Sequence, residues 1–195
     1  MELFAAYHAI IDQFWLPWSN RRDDKWGGSL ENWLRFSAEI MRRIRKMAGD
    51  DFIIGLAVSM DPSAEVSFSI EALSEIVAWH DERELMDYVT CGTGSYFGHG
   101  AITPSVFFAD KLGPLHAEEL RKVSKFAKTQ AESHIRTPEN AEGVIASGQA
   151  DMVSIVRGQI ADPFRADKAV GGRADDIRPC LSCNQMCWGR RSRDY

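Results

Sequence analysis

Asp51-Phe-Ile-Ile-Gly-Leu-Ala-Val-Ser-Met-Asp61 is an apolar run of strand length with an acidic residue at each end. A strand with one wet face alternates apolar and polar residues. One that is apolar along most of its length is buried on both faces, as parallel strands are when helices cover the sheet. The flanks carry the expected helices. Upstream, Leu30, Trp33, Leu34, Ile40, Met41, Ile44 and Met47 recur at helical spacing, and Arg42, Arg43, Arg45 and Lys46 take the other side. Ser29 is placed to cap this helix, Glu31 suits its positive end, and Gly49 is placed to stop it. Downstream, Ile70, Leu73, Ile76 and Val77 mark a second amphipathic helix.

Working outward, residues 1–7 read as a buried strand. The stretch Asp12-Gln-Phe-Trp-Leu-Pro-Trp18 reads as a loop, too aromatic and proline-broken for regular structure. Met86-Asp-Tyr-Val-Thr-Cys91 is another strand, opening into a long loop from Gly92 through Phe107 and Phe108. Residues 115–128 read as helix and 130–135 as a weak strand. Thr137-Pro138 starts a helix whose inward residues are Ala141, Val144 and Ile145 and which Gly148 ends. Asp151-Met-Val-Ser-Ile-Val-Arg157 reads as the clearest strand. Strands alternating with helices predict an α/β fold with a parallel sheet. Period alone does not separate an open sheet from a barrel, but no G-x-G-x-x-G follows any strand, which argues against a dinucleotide-binding open sheet.

The 195 residues carry a net charge of −5, and the basic residues of the first helix are interleaved as on a solvated face, so nucleic acid is not an expected partner. No apolar stretch approaches a membrane span, and Met1-Glu-Leu-Phe lacks the basic start of a signal peptide, so a cytoplasmic setting without a membrane partner is expected.

Cys180, Cys183 and Cys187 follow a C-x2-C-x3-C spacing within Arg178-Pro-Cys-Leu-Ser-Cys-Asn-Gln-Met-Cys-Trp-Gly189. In a reducing compartment such clustered thiols read as ligands of an iron–sulfur or zinc centre. Both centres want four ligands. Either Cys91 reaches across or the fourth ligand lies beyond Tyr195, and the second is the expectation, with the charged end Arg190-Arg-Ser-Arg-Asp-Tyr195 read as the edge of a longer chain.

Asn20-Arg-Arg-x-Asp-x-Trp-Gly-Gly-Ser-Leu-Glu-Asn-x-x-Arg-Phe36, Thr137-Pro-Glu-x-Ala-Glu142, Ala150-Asp-Met-Val153 and Arg157-Gly-Gln-Ile-Ala-Asp-Pro163, followed by the cysteine run, together resemble one family. It is the flavin-dependent old yellow enzyme group, in the iron–sulfur branch with 2,4-dienoyl-CoA reductase and trimethylamine dehydrogenase. The resemblance implies a partial (β/α)8 TIM barrel binding FMN, of which about the last five strands fall in residues 1–175. Residues 176–195 would begin the segment holding a 4Fe-4S cluster through Cys180, Cys183 and Cys187, with a fourth ligand outside the chain. A structural zinc site is the alternative. FAD and NAD(P) would belong to domains that are not in this chain. Arg157 matches the arginine that helps hold the FMN phosphate, and Ser133 and His134 sit where the preceding loop offers backbone amides. The plainer reading of Arg157 is a surface ion-pair residue.

The catalytic positions depart from the family pattern. Counting back from Gln13-Phe14, the usual donors correspond to Phe4, Tyr7 and Ala9, and His8 is one residue out of register. Thr93 replaces an acidic partner, and Ala57 an arginine facing the flavin. Tyr7 remains the best acid or orienting group, with a structural role as the alternative. Hydride transfer between a small organic substrate and flavin is the expected activity, in the direction of N-methyl amine dehydrogenation or demethylation. The aromatic residues Phe14, Trp15, Trp18, Trp26, Tyr96, Phe97, Phe107 and Phe108 are candidates to face a methylated ammonium, or else to pack. NAD(P)H-dependent enoate or dienoyl-CoA reduction is the alternative activity, and a non-catalytic, metal-stabilised domain is the alternative of another class. The electron acceptor is not named by any residue.

Overall fold

The structure is a computed structural model that describes residues 1–61, 64, 66–97, 103–107 and 113–189. The sequence readings at Phe108 and at residues 190–195 lie outside the described residues. The elements run in the order β1 (Glu2–Ala5), α1 (Ile10–Trp15), α2 (Leu30–Ala48), β2 (Gly55–Met60), α3 (Ile70–Asp81), β3 (Tyr88–Thr93), α4 (Pro114–Val123), β4 (Lys128–Ala131), α5 (Pro138–Ala146), β5 (Met152–Val153), α6 (Arg157–Ala161) and α7 (Arg165–Val170), then a 3-10 turn at Ala174–Asp176.

The five strands form one parallel sheet in the order β1-β2-β3-β4-β5. Each crossover advances by one strand and none reverses, so these strands contain no switch point of the kind a doubly wound sheet requires. Register sorts the side chains into two faces. Leu3, Leu56, Val89 and Thr129 share the helix-covered face, and the core of Leu34, Met41, Leu56, Val58, Leu73, Val77, Val89 and Leu120 gathers beneath the helices. Phe4, Ala57, Thr90 and Gln130 share the other face. There the Gln130 amide donates to Thr90 Oγ1 at 3.1 Å, and the Thr90 hydroxyl donates to Glu2 at 2.6 Å.

The caps of α2 behave as read. Ser29 Oγ accepts the Asn32 N–H, and Gly49 ends the helix at φ 93°. Met47, however, is 87% exposed, because the buried face of α2 is Leu34, Ser37, Ala38 and Met41. Five further readings are corrected. Residues 12–15 of the loop expected over 12–18 belong to a helix, Ile10–Trp15. Ile11 and Trp15, four residues apart, bury together, the Trp15 indole donates to Ser37 Oγ at 3.2 Å, and Pro17 holds Leu16 extended and stops the turn. β2 begins only at Gly55, leaving Phe52 and Ile53 exposed; the Tyr88 ring fills the space a side chain at Gly55 would need. The helix read over 115–128 stops at Val123, since the buried Asp81 carboxylate accepts the backbone N–H groups of Lys125, Phe126 and Ala127 and draws that segment into β4. The strand read over 151–157 shrinks to two paired residues, Met152 and Val153, and Arg157 already starts α6. Ile145, read as inward, is 41% exposed beside the buried Val144.

Candidate functional site

The site lies past the C-terminal ends of β1, β3, β4 and β5. One pocket is lined by Tyr7, Glu132, Ser133, His134, Arg136 and Arg157, together with Pro104, Cys180 and Ser182. Four residues singled out from the sequence, Tyr7, Ser133, His134 and Arg157, therefore meet in one place. The chain turns sharply at both sides of it: Tyr7 and His8 have φ of 62° and 65°, and Ser133 and His134 have φ of 77° and 60°. Consecutive non-glycine residues in the left-handed region are costly, and such strain concentrates at functional sites.

The turn after β1 also explains why Tyr7 and His8 part company. Tyr7 swings over the sheet and its hydroxyl donates to Glu132 Oε1 at 3.0 Å. His8 leaves the pocket. Its Nε2 bonds the Val66 carbonyl, its backbone N–H donates to Asp12 Oδ2 at 2.8 Å, and its ring meets Phe97 edge-on at 4.8 Å. Burial pushes the Tyr7 phenol above its ordinary value, and the neighbouring Glu132 adds to this. Burial also raises the Glu132 carboxyl, an effect the Tyr7 hydrogen bond partly offsets.

At the end of β4, Ser133 Oγ accepts the Thr93 N–H at 3.2 Å. His134 is buried, with Nε2 3.3 Å from Ser182 Oγ. Arg157 reaches across the pocket and donates to the Pro104 carbonyl at 2.7 Å and to Asn184 Oδ1 at 3.0 Å. Beneath, Arg165 is 4% exposed and donates through Nη2 to the Arg136 carbonyl at 2.6 Å, while its Nη1 lies where a side chain at Gly158 would otherwise sit. Guanidinium groups of Arg157 and Arg136, the nearby buried charge of Arg165 and a tightly turned backbone make this a pocket suited to a phosphate group. The residues fit the phosphate end of a flavin mononucleotide.

Cys180, Cys183 and Cys187 line a second, mostly apolar pocket with Ile160, Leu181 and Met186. Ser182 and Asn184 adopt φ of 53° and 58° and bend the run into a loop. The Ser182 N–H points at Cys180 Sγ at 3.4 Å. All three thiols are free, and among the described residues no group of three or more His, Cys, Asp or Glu is gathered closely enough to hold a metal ion. Cys91 is buried on β3, where burial pushes its thiol pKa up. The donor type and the N–H aimed at sulfur suit an iron–sulfur centre.

The aromatic residues divide. Phe14 stacks on Phe36 at 4.6 Å, Trp26 meets both edge-on, and Trp15 is buried against α2, so these three pack. Tyr96 lies 6.1 Å from Tyr7 and Phe4 5.7 Å from it, whereas Trp18 meets Phe97 at 6.1 Å on the side where His8 lies. Phe107 is 95% exposed.

Glu132 is the residue that the sequence reading missed. The available signal was Gly92 inside β3, since a strand glycine often marks a close approach by another group. A side chain there would lie 2.5 Å from Glu132 Oε1 and 2.6 Å from the Tyr7 hydroxyl.

Residues 1–176 match the model of the NADH:flavin oxidoreductase / NADH oxidase family. The chain is 37% identical to an NADH oxidase of Thermoanaerobacter brockii over 98% of its own length and 29% of the relative. It is 30% identical to an N,N-dimethylglycine/sarcosine dehydrogenase of Chromohalobacter salexigens, over 94% of this chain and 27% of that one. Among solved structures it superposes on a 2-naphthoyl-CoA reductase complex with a TM-score of 0.87 at 31% identity, covering 96% of this chain and 28% of that one. The chain thus spans under a third of the length of these relatives. It belongs to the NADH:flavin oxidoreductase / NADH oxidase family, and its five parallel strands are part of a TIM barrel.

Proposed function

We propose that this family member is the C-terminal part of an FMN-binding barrel, residues 1–175, joined at residues 176–195 to the start of an iron–sulfur segment. Its activity would be hydride transfer between a small organic substrate and the flavin. The observation that carries this reading is the pocket joining Tyr7, Ser133, His134 and Arg157. Arg157, Arg136 and the turn at Ser133 and His134 would hold the FMN phosphate, and Cys180, Cys183 and Cys187 would be cluster ligands. When bound, the flavin supplies the hydride acceptor and the cluster a route for single electrons.

The rings around Tyr7 favour an N-methyl amine as substrate. Tyr7 has the rings of Tyr96 and Phe4 beside it, and a methylated ammonium held over such faces would gain about 0.5 to 2 kcal/mol. Taking hydride from an amine also asks for no proton donor at Ala9. The similarity to a dimethylglycine/sarcosine dehydrogenase supports this direction. Alkene reduction driven by NAD(P)H is the second reading, supported by the likeness to a naphthoyl-CoA reductase.

Stopped-flow flavin reduction of the full-length protein separates them. Bleaching by methylated amines is the expected result; no bleaching by any amine, together with NAD(P)H-driven turnover of enones, reverses the assignment. For the cluster, Cys180→Ala, Cys183→Ala and Cys187→Ala should each abolish iron binding after anaerobic expression. Full iron and sulfide in all three variants, or zinc in the wild type, refutes an iron–sulfur centre.

A further inference from the structure

We propose that Glu132 holds the reaction's proton and exchanges it with the substrate through the Tyr7 hydroxyl, so that the two residues act as one acid–base unit. The proposal rests on the amine reading above, but its geometry stands independently. Tyr7 and Glu132 come from the ends of β1 and β4 and meet at 3.0 Å over β3. Two glycines make the meeting possible. At Gly92 a Cβ would collide with both reacting oxygens, at 2.5 Å and 2.6 Å, and at Gly113 a Cβ would lie 1.8 Å from the Glu132 carbonyl oxygen. Both side chains line the wall of the pocket across from Ser133, His134 and Arg157, so the pair faces the cavity assigned above to the flavin. A mere packing tyrosine needs no carboxylate partner, and a buried carboxylate in this position costs free energy unless a donor serves it.

The chemistry balances without a further reagent. A secondary or tertiary N-methyl ammonium gives its N–H proton to the Tyr7 oxygen while the phenolic proton passes to the Glu132 carboxylate. The products are a neutral amine, an unchanged phenol and a neutral carboxylic acid. The amine lone pair is then free to drive hydride departure from the adjacent methyl carbon. Phenolate never has to form, which suits a phenol whose ionisation burial opposes. The ionisable groups around Glu132 are Tyr7 and Glu2 from β1 and Cys91 from β3, with His134, Arg136 and Arg157 on the same pocket. Glu2 and burial both raise the carboxyl, which brings its titration towards the working range of a general base.

The test uses the flavin-loaded full-length protein and the variants Glu132→Gln and Tyr7→Phe. In the wild type the rate of flavin reduction at saturating amine should rise with pH through one ionisation. Both variants should lose that limb and slow reduction by roughly 100- to 10,000-fold, with smaller changes in KM. Infrared difference spectra taken across the same pH range provide the arm that needs no substrate. A carboxylic acid carbonyl band should titrate in the wild type, vanish in Glu132→Gln and shift in Tyr7→Phe. An unchanged pH limb in Glu132→Gln overturns the proposal. A carbonyl band indifferent to Tyr7→Phe does so as well. If no amine bleaches the wild-type flavin, the amine reading fails, and the infrared arm alone decides whether the pair shares its proton.

Discussion

Residues 2–131 and residues 157–189 hold together by different means. In the first region, Leu34, Met41, Leu56, Leu73, Val77, Val89 and Leu120 are sealed between strands and helices. In the second, α6 and α7 are short, and Ile160, Phe164, Val170, Leu181 and Met186 face outward. What fastens that second region is polar. Arg157 bonds Pro104 and Asn184, Asn184 Nδ2 donates to the Thr103 carbonyl at 2.5 Å, and the Val106 N–H donates to the Ser182 carbonyl at 3.0 Å. Asp162 accepts from Lys168 Nζ at 2.6 Å and from the Arg178 N–H at 2.9 Å. An apolar core spreads its stability over many side chains, whereas a polar clasp concentrates it in a few. The cysteines and Arg157 sit in the clasped region, so these candidate site residues depend on the less redundant part of the molecule.

The largest expected effect lies in the sealed region. Leu56→Ala removes a fully buried side chain at the centre of the sheet and should cost about 2 to 5 kcal/mol in denaturant unfolding. Proteolysis of residues 178–189 under native conditions should hardly change. Early cleavage there would mean that the two regions are one cooperative unit.

Acid should separate the regions further. His80 is fully buried between Ser37 Oγ at 2.8 Å and the Ile76 carbonyl at 2.8 Å, and burial lowers its pKa to about 4. Between that value and the ordinary value of about 6.5 the unfolded chain binds the extra proton, so stability falls as pH drops through this window, by roughly 3 kcal/mol in all. Asp12, which burial raises to about 6, acts in the opposite sense: its neutral form is favoured in the folded state, so it adds stability as pH falls from about 6 towards its unfolded value. Asp162 is held down to about 2, chiefly by Lys168, so its clasp persists until far lower pH. Trp15 lies 5.5 Å from the His80 ring and reports on it. Tryptophan fluorescence should change as pH falls through about 4 in the wild type and much less in His80→Gln, while amide protection factors in residues 162–178 stay constant. Simultaneous loss of both signals would contradict the division.

The smallest effect belongs to the clasp. Arg157→Ala removes charge-assisted bonds worth about 1.5 to 3 kcal/mol, which should appear as faster cleavage after Arg178 and weaker FMN retention, with an unchanged unfolding midpoint for the sheet. Unchanged flavin affinity would return Arg157 to a purely structural part.

The same division decides how much could be read from the residues. α2 was legible because its apolar period, Ser29 and Gly49 all lie within the element they define. So was the parallel alternation, since fully buried strands such as β2 carry their signal in composition. α1 was hidden because its one buried pair, Ile11 and Trp15, stands among aromatic residues and a proline that resemble a loop. β5 misled in the other direction: apolar composition promised a strand over 151–157, but only Met152 and Val153 pair with β4 before α6 begins at Arg157. The pocket was half visible. Tyr7, Ser133, His134 and Arg157 came from family motifs, whereas Glu132 acquires its meaning from Gly92 and Tyr7, and no local pattern announces a partner 125 residues away.

The glycine at the end of β3 carries an evolutionary consequence. A methyl group at position 92 and the Tyr7 to Glu132 contact compete for the same space, so a lineage cannot gain one without surrendering the other. The three positions should therefore be inherited as a block, with Tyr, Gly and Glu retained together or replaced together. Among sequences sharing the cysteine run, that triplet would be a short barcode for sorting those that handle protons as this chain does from those that place their acid on a different strand.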